Sequence, residues 1–432
     1  MKKRAWMALA LAGMLLGAAR AEGPLCVATD AFTGLVTEMG EALLTGVEDV
    51  FCVREGALYA AGSRGAYRLY DANGAMLGDA EFAMIADSGD CLIFRQGSLY
   101  GAMDMHGSVT LPAAWTQLAW DGAGGFLALE TDPFDESPDA ILRVSPQGEA
   151  TPTGVMTSMG LSALESGRMP VMASNGRYGA IDARGEWAIP AKWLYLGPFE
   201  RGRAKVAGPG GMGLIDVEGM EVVPTVYDWL ERGDGVIAAG NTGGIDVLSK
   251  SGETLLYRVE GAYAEASVLG SCLLVRDDTG ARLYDEKGTV IGTFGADFDA
   301  APGLNGQIIA TEGAWGDAGT WLMDPDGSAA SGKFQRILPL AGGRYAFIET
   351  PGIAYYSADL DRVLTSWDYD GARCGLMDAR GAVLVPARWR EIRALSGDRL
   401  LMTGDGEARL TDLDGQVVKR WVTAEGEAAT GE

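Results

Sequence analysis

Apolar and polar positions alternate along this chain in runs of about five residues, broken by short turns that carry glycine. The stretch "GLIDVEGMEVVPTVY" (213–227) is typical. An apolar run leads into Asp216, a four-residue turn ends at Gly219, and a second apolar run leads out. A period of two predicts half-buried strands. Asp at the first turn position accepts hydrogen bonds from the backbone ahead of it, and Gly at the fourth accepts a left-handed conformation. Together they predict an antiparallel hairpin. The same pattern returns as "GAMDMHGSVTLPAAW" (101–115), "GAIDARGEWAIPAKW" (179–193) and "GLMDARGAVLVPARW" (375–389). No amphipathic helix of twelve residues is predicted after the N-terminal segment.

The turn glycines are Gly74, Gly107, Gly148, Gly185, Gly219, Gly252, Gly288, Gly327, Gly381 and Gly415, and Gly40 marks a worn first copy. Asp71, Asp104, Asp182, Asp216, Asp285, Asp324, Asp378 and Asp412 stand three residues before eight of them, with Ser145 and Ser249 before two others. Most steps are 33 to 41 residues, and the one long step, from Gly327 to Gly381, is 54. It leaves room for a degenerate copy around "YYSADLD" (355–361). A fixed period of this size predicts a solenoid, propeller or array of roughly eleven or twelve units. Pro112, Pro190, Pro224 and Pro386 follow the glycine by five, where a missing N–H suits a strand end or sheet edge. Trp115, Trp193, Tyr227 and Trp389 follow it by eight, where a large ring predicts packing between neighbouring units.

These units resemble the WG repeat, a bacterial family with a tyrosine-glycine-leucine-isoleucine-aspartate lead, a glycine, then isoleucine-proline and an aromatic-aspartate pair. "YGAIDARGEWAIPAKW" (178–193) and "GLIDVEGMEVVPTVYD" (213–228) match best, and "WLMDPDGSAASGKF" (321–334) has lost the proline. The resemblance implies an all-β repeat protein, often exported, and implies no shared catalytic residues. The expected fold is all-β, with four short antiparallel strands per unit packed as a β-propeller of one or two rings. An open superhelical array is the alternative.

The N-terminus changes the picture of where the chain works. A basic start at Lys2, Lys3 and Arg4, the apolar run 5–19 and Ala19-Arg20-Ala21 read as a signal peptide over 1–21. The repeats then occupy 22–422, irregular around 328–374, and the small, acidic residues 423–432 form a disordered tail. The chain is expected to be secreted or associated with the cell envelope of a bacterium, with no stable membrane insertion after cleavage. The net charge is -24, and removal of four basic residues with the leader leaves 59 acidic groups against 31 basic ones, or -28. Such a surface repels nucleic acid. Five dispersed cysteines indicate no disulfide framework, with Cys26 and Cys52 the one candidate pair. Cys91 and Cys272 read as small buried strand residues.

Candidate chemistry is sparse. The eight turn carboxylates are explained by their turns, so they do not form the paired acids of a glycosidase. His106 is the only histidine and lies within a turn, which argues against zinc and against a catalytic triad. "DPDG" (324–327) and "DLDG" (412–415) are fragments of a calcium loop without the full ligand run, so no cofactor is expected beyond a weak case for calcium. "GPGGMG" (208–213) lacks the helix and lysine of a phosphate loop and reads as a hairpin. Residues that break the repeat are better leads. Phe134 in "ETDPFDESPD" (130–139), Trp315 in "EGAWGDAGTW" (312–321), and Trp367 with Tyr369 in "SWDYDGAR" (366–373) are the candidate contacts for a ligand. The expected function is non-catalytic binding of an extracellular protein or polysaccharide. The alternatives are a structural spacer and a propeller hydrolase using acidic loop residues.

Overall fold

The computed structural model describes residues 23–130, 138–261, 263–313, 319–349, 355–357, 362–364 and 373–423. The chain forms eleven small antiparallel sheets in sequence order, spanning 25–45, 49–71, 84–115, 117–157, 169–193, 195–227, 229–260, 265–294, 298–323, 336–389 and 391–422. They are the blades of a β-propeller. Blade six shows the pattern: Tyr195–Glu200, Arg203–Gly208, Gly211–Asp216 and Glu221–Tyr227 pair in that order, each with the next. In blade one the described strands Leu25–Ala28, Thr33–Val36 and Ala42–Thr45 occupy the second to fourth places, because the turn ending at Gly40 joins the last two.

The repeated turn joins the third and fourth strands. Asp216 Oδ1 accepts the N–H of Glu218 at 3.1 Å and of Met220 at 2.8 Å, while the Gly219 N–H donates to Asp216 O at 3.0 Å. The same pair of side-chain bonds recurs at Asp71, Asp104, Asp182, Asp285, Asp378 and Asp412. Asp324 differs, since its Oδ1 accepts from Gln307 Nε2 at 2.8 Å. Register shifts follow each turn in the fourth strands Val109–Trp115, Trp187–Trp193, Glu221–Tyr227 and Val383–Trp389. Pro112, Pro190, Pro224 and Pro386 stand exposed in those strands, at the open edge of each sheet, where a missing N–H breaks no ladder bond and hinders edge-to-edge pairing.

Blades cohere through apolar interfaces. Eleven buried clusters are present among the described residues, and each draws side chains from two adjacent blades. An open row of eleven blades has ten interfaces. The eleventh joins the ends of the chain: Leu25, Val27 and Val36 of blade one pack with Leu401, Ala408 and Leu410 of blade eleven. Phe32 stacks on Trp421 across the same seam, with ring centroids 5.3 Å apart. The protein is therefore one closed ring of eleven blades, not two rings or an open array. The 54-residue step holds a single blade, the tenth. Its second strand Arg344–Ile348 pairs directly with its third, Cys374–Asp378, and the strand pair Tyr355–Ser357 and Arg362–Leu364 is inserted between them.

Each turn glycine also touches the blade before it. A Cβ on Gly219 would lie 3.1 Å from Ile189 in the fourth strand of blade five, and one on Gly40 would lie 2.4 Å from Lys419 in the fourth strand of blade eleven. Side chains at the head of second strands reach the other way. Arg168 Nε donates to Val217 O at 2.7 Å, Arg344 Nε to Leu413 O at 3.0 Å, and Gln307 Nε2 to Ala379 O at 2.8 Å. Every acceptor is the second residue of the next blade's turn. Arg399 Nε donates to Glu38 O at 3.1 Å, so the same latch runs from blade eleven to blade one.

The rings eight residues past the turn glycine lie in these interfaces. Trp115, Trp193, Tyr227 and Trp389 are buried and belong to the clusters between blades three and four, five and six, six and seven, and ten and eleven. The Lys192 ammonium sits 4.7 Å from the Trp193 ring centre, and the Arg388 and Arg409 guanidinium groups sit 4.9 and 5.0 Å from that of Trp389. Tyr227 instead donates its hydroxyl to Asp246 Oδ2 of blade seven at 2.8 Å. All five cysteines are free thiols. Cys26 and Cys52 lie on contacting strands of blades one and two, and burial, with a smaller push from Cys52, raises the Cys26 thiol to about 12. Cys91, Cys272 and Cys374 are buried.

Two outcomes follow. Gly40 and Gly46 both have positive φ, 77° and 74°, but a Cβ at Gly46 meets nothing within 4 Å. Replacing either by Ala strains the backbone by about 1–2 kcal/mol. Gly40→Ala must also displace Lys419, so its denaturation midpoint should fall below that of Gly46→Ala; equal losses would contradict a packed seam. Burial, and then the bond to Asp246, raise the Tyr227 hydroxyl from 10 to about 12. The folded state holds that proton more tightly, so the contribution is complete below pH 10 and lost as pH rises toward 12. Tyr227→Phe should flatten the fall in stability across that window, measured by denaturation at fixed pH values.

Candidate functional site

Antiparallel order gives the ring two unlike faces. One carries the turns between first and second strands and the repeated glycine-ended turns between third and fourth. The other carries the connections between second and third strands and the links from blade to blade. This second face is the variable one. Its connection within blade six is two residues long, between Gly208 and Gly211, and that is the place of "GPGGMG". In blade ten it runs from Ile348 to Cys374. The other enlarged segments fall at the same topological place, between Leu129 and Asp139 in blade four and between Glu312 and Gly319 in blade nine.

A groove of about 520 Å³ opens on this face between blades seven and eight, within the usual size range for ligand pockets. Its walls include Asp228, Trp229, Asn241, Thr242, Tyr263 and Glu265. Trp229 begins the first strand of blade seven, Trp229–Arg232, and Tyr263 precedes the first strand of blade eight, Glu265–Leu269. The two rings meet at 76° with centroids 6.1 Å apart, and Trp229 Nε1 donates to Tyr263 Oη at 2.5 Å. Both are half-buried. They fit because Gly240, opposite Trp229 in the ladder, has no side chain. A Cβ there would lie 2.3 Å from Tyr263 Oη and 2.4 Å from Trp229 Nε1. Ala207 holds the matching place in blade six, opposite Tyr195.

The groove's two carboxylates differ. Glu265 is paired with Arg276 at 2.6 Å, and Arg276 also reaches Asp299 at 2.5 Å and Phe298 O. Asp228 is exposed and makes no ion pair among the described residues, while its N–H donates to Gly240 O at 2.8 Å. The groove therefore combines an aromatic corner, one ion-paired acid and one acid without an ion pair among the described residues.

Phe134, Trp315, Trp367 and Tyr369 lie outside the described residues. The eight turn aspartates are distributed one to a blade, each beside its own turn, so they share no cleft. His106 is exposed in the turn of Asp104 and Gly107, and its N–H donates to Asp104 Oδ1 at 2.9 Å. Among the described residues no group of three or more His, Cys, Asp or Glu is placed to hold a metal ion. Sequence reasoning missed Trp229 and Tyr263. The available signal was an aromatic residue directly after the "VYD" that closes a unit (225–228 reads "TVYD"), where the chain enters the next blade.

A family model described as WG containing repeat matches residues 178–207. That stretch runs from the third strand of blade five into the second strand of blade six, so the sequence unit straddles a blade interface. The resemblance read along most of the chain is thus matched by the model over one short region. No curated protein matches the chain. Solved structures with a similar arrangement include a eukaryotic initiation factor, with TM-score 0.41 and 11% identity over 67% of this chain and 83% of that one. BamB from Moraxella catarrhalis gives 0.31 and 11% over 61% and 92%, and apo AztD from Citrobacter koseri gives 0.29 and 11% over 63% and 92%. The chain is a propeller-fold protein carrying a WG-repeat-like motif in one region.

The aromatic corner has a direct test. Tyr263→Phe removes the acceptor of the Trp229 indole and should cost about 1 kcal/mol. The Trp229 indole proton should then exchange with solvent faster by NMR; an unchanged rate would mean the two rings do not meet.

Proposed function

We propose that this is an exported, non-catalytic binding protein that meets an extracellular protein or polysaccharide with the variable face of its ring. The observation that carries this reading is the contrast between faces. Connections between third and fourth strands keep one glycine-ended backbone turn around the ring, whereas those between second and third strands vary from two residues to the long insertion of blade ten. A rigid scaffold with its variation gathered on one side is the usual arrangement of a binding surface. The groove between blades seven and eight lies on that side and supplies exposed aromatic area. The leader over 1–21 and the strongly acidic surface support a place outside the cytoplasm and away from nucleic acid. No described constellation favours the hydrolase reading. The spacer reading draws on apolar residues repeated at the outer rim, Val109, Val290, Val383 and Val417, each about half exposed.

The test is a binding panel of cell-envelope fractions, polysaccharides and envelope proteins, using residues 22–432. Trp229→Ala alters the variable face, and Glu218→Lys alters a uniform turn on the opposite face. Saturable binding that falls at least several-fold with Trp229→Ala and holds with Glu218→Lys is the expected result. A folded protein that binds nothing, or binding sensitive only to Glu218→Lys, would overturn the reading.

A further inference from the structure

We propose that the corner formed by Trp229 and Tyr263 binds a compact organic cation, an alkylated ammonium group, with Asp228 as its counter-charge. This rests on the reading of the variable face as the binding face and names the chemistry its groove selects. Three features of the groove lead to it.

The first is shape. Two ring planes at 76° make adjoining walls rather than a single open platform. A pyranose stacks by laying its flat face on one exposed ring. A tetrahedral ammonium head instead fills a right-angled corner and presents methyl groups to both walls at once. The negative faces of both rings then point at the same positive charge.

The second is charge. The one ion pair in the groove uses up Glu265 through Arg276, and Asp228 is left without a cationic partner among the described residues. Its main-chain bond to Gly240 fixes it beside the residue on which both rings rest. Among the described residues no lysine or arginine lines the groove, so it presents no cationic side chain to an anion. The surrounding chain, at -24, draws cations toward it.

The third is the hydrogen bond within the corner. Tyr263 Oη accepts from the indole N–H, which fixes the angle between the rings and points electron density on the phenol oxygen at the indole edge instead of the cleft. With the indole N–H taken up by that bond, the ligand is placed against the ring faces. Gly240 is the positioning residue, because a methyl group there must displace one ring or the other.

The probe is choline, with 3,3-dimethylbutan-1-ol as its neutral isostere, titrated into the whole mature chain. The readout is the indole N–H signal of Trp229, assigned by its loss in Trp229→Phe. Choline should shift that signal saturably, and the neutral alcohol should bind about tenfold more weakly. Asp228→Asn should weaken choline several-fold and leave the alcohol unchanged. Gly240→Ala should abolish the shift while the circular dichroism spectrum is retained. Equal affinity for choline and the alcohol would overturn the cation assignment and leave an apolar groove. No shift with either probe, while the binding panel still responds to Trp229→Ala, would overturn the cation alone. No shift and no response in the panel would remove the binding reading itself.

Discussion

The structure depends on one contact repeated around the ring: the turn between third and fourth strands of each blade seats against the outer strand of the blade before it. A small sheet of four short strands buries one face against each neighbour and cannot stand alone. The turn glycine lets the turn sit against the neighbouring blade at a distance that a side chain would obstruct, with backbone at Gly107 against Leu77 and Gly327 against Ile291, and with a side chain at Gly219 against Ile189 and Gly40 against Lys419. The latch from Arg168, Gln307, Arg344 or Arg399 to the same turn then fixes the rotation of one blade on the next. Small per-blade rotations accumulate, and the last blade meets the first.

Seating every blade by the same turn commits one face of the molecule to holding it together. The aspartate oxygens on that face are occupied by backbone N–H groups, which lowers Asp71 below the usual carboxylate range through the N–H of Ala75 and then of Asn73. Among the described residues the opposite face has no such repeated contact, only single hydrogen bonds between blades such as Trp229 to Tyr263 and Arg276 to Phe298 O. Its connections can lengthen, as in blades four, nine and ten, without disturbing any interface. The aromatic corner of Trp229 and Tyr263 lies on this face, where Gly240 stands at the place that Ala207 holds in blade six.

The all-β repeat was legible because its signals are local. Alternation, the Asp-Gly turn and the edge proline each act within a few residues, and a propeller was the expected packing. The sequence narrowed the count to eleven or twelve units, but the closure was not legible, because it depends on what Gly40 touches, and Lys419 lies at the far end of the chain. The long step after Gly327 suggested room for a lost copy, yet it is an insertion within blade ten, a distinction set by the pairing of Ile348 with Cys374. The corner was hidden for a similar reason. Trp229 and Tyr263 are 34 residues apart, and they meet only once blades seven and eight are seated and Gly240 has left the space.

Closure of the ring is the claim on which the rest stands. Asp30 of blade one and Thr423, just past the last strand of blade eleven, line the same cleft at the seam. Spin labels at these two positions, with Cys26 and Cys52 replaced by alanine, measure that seam directly. A closed ring of eleven blades predicts a single short distance that persists on dilution. A long or broad distance distribution would contradict it and return the chain to an open array.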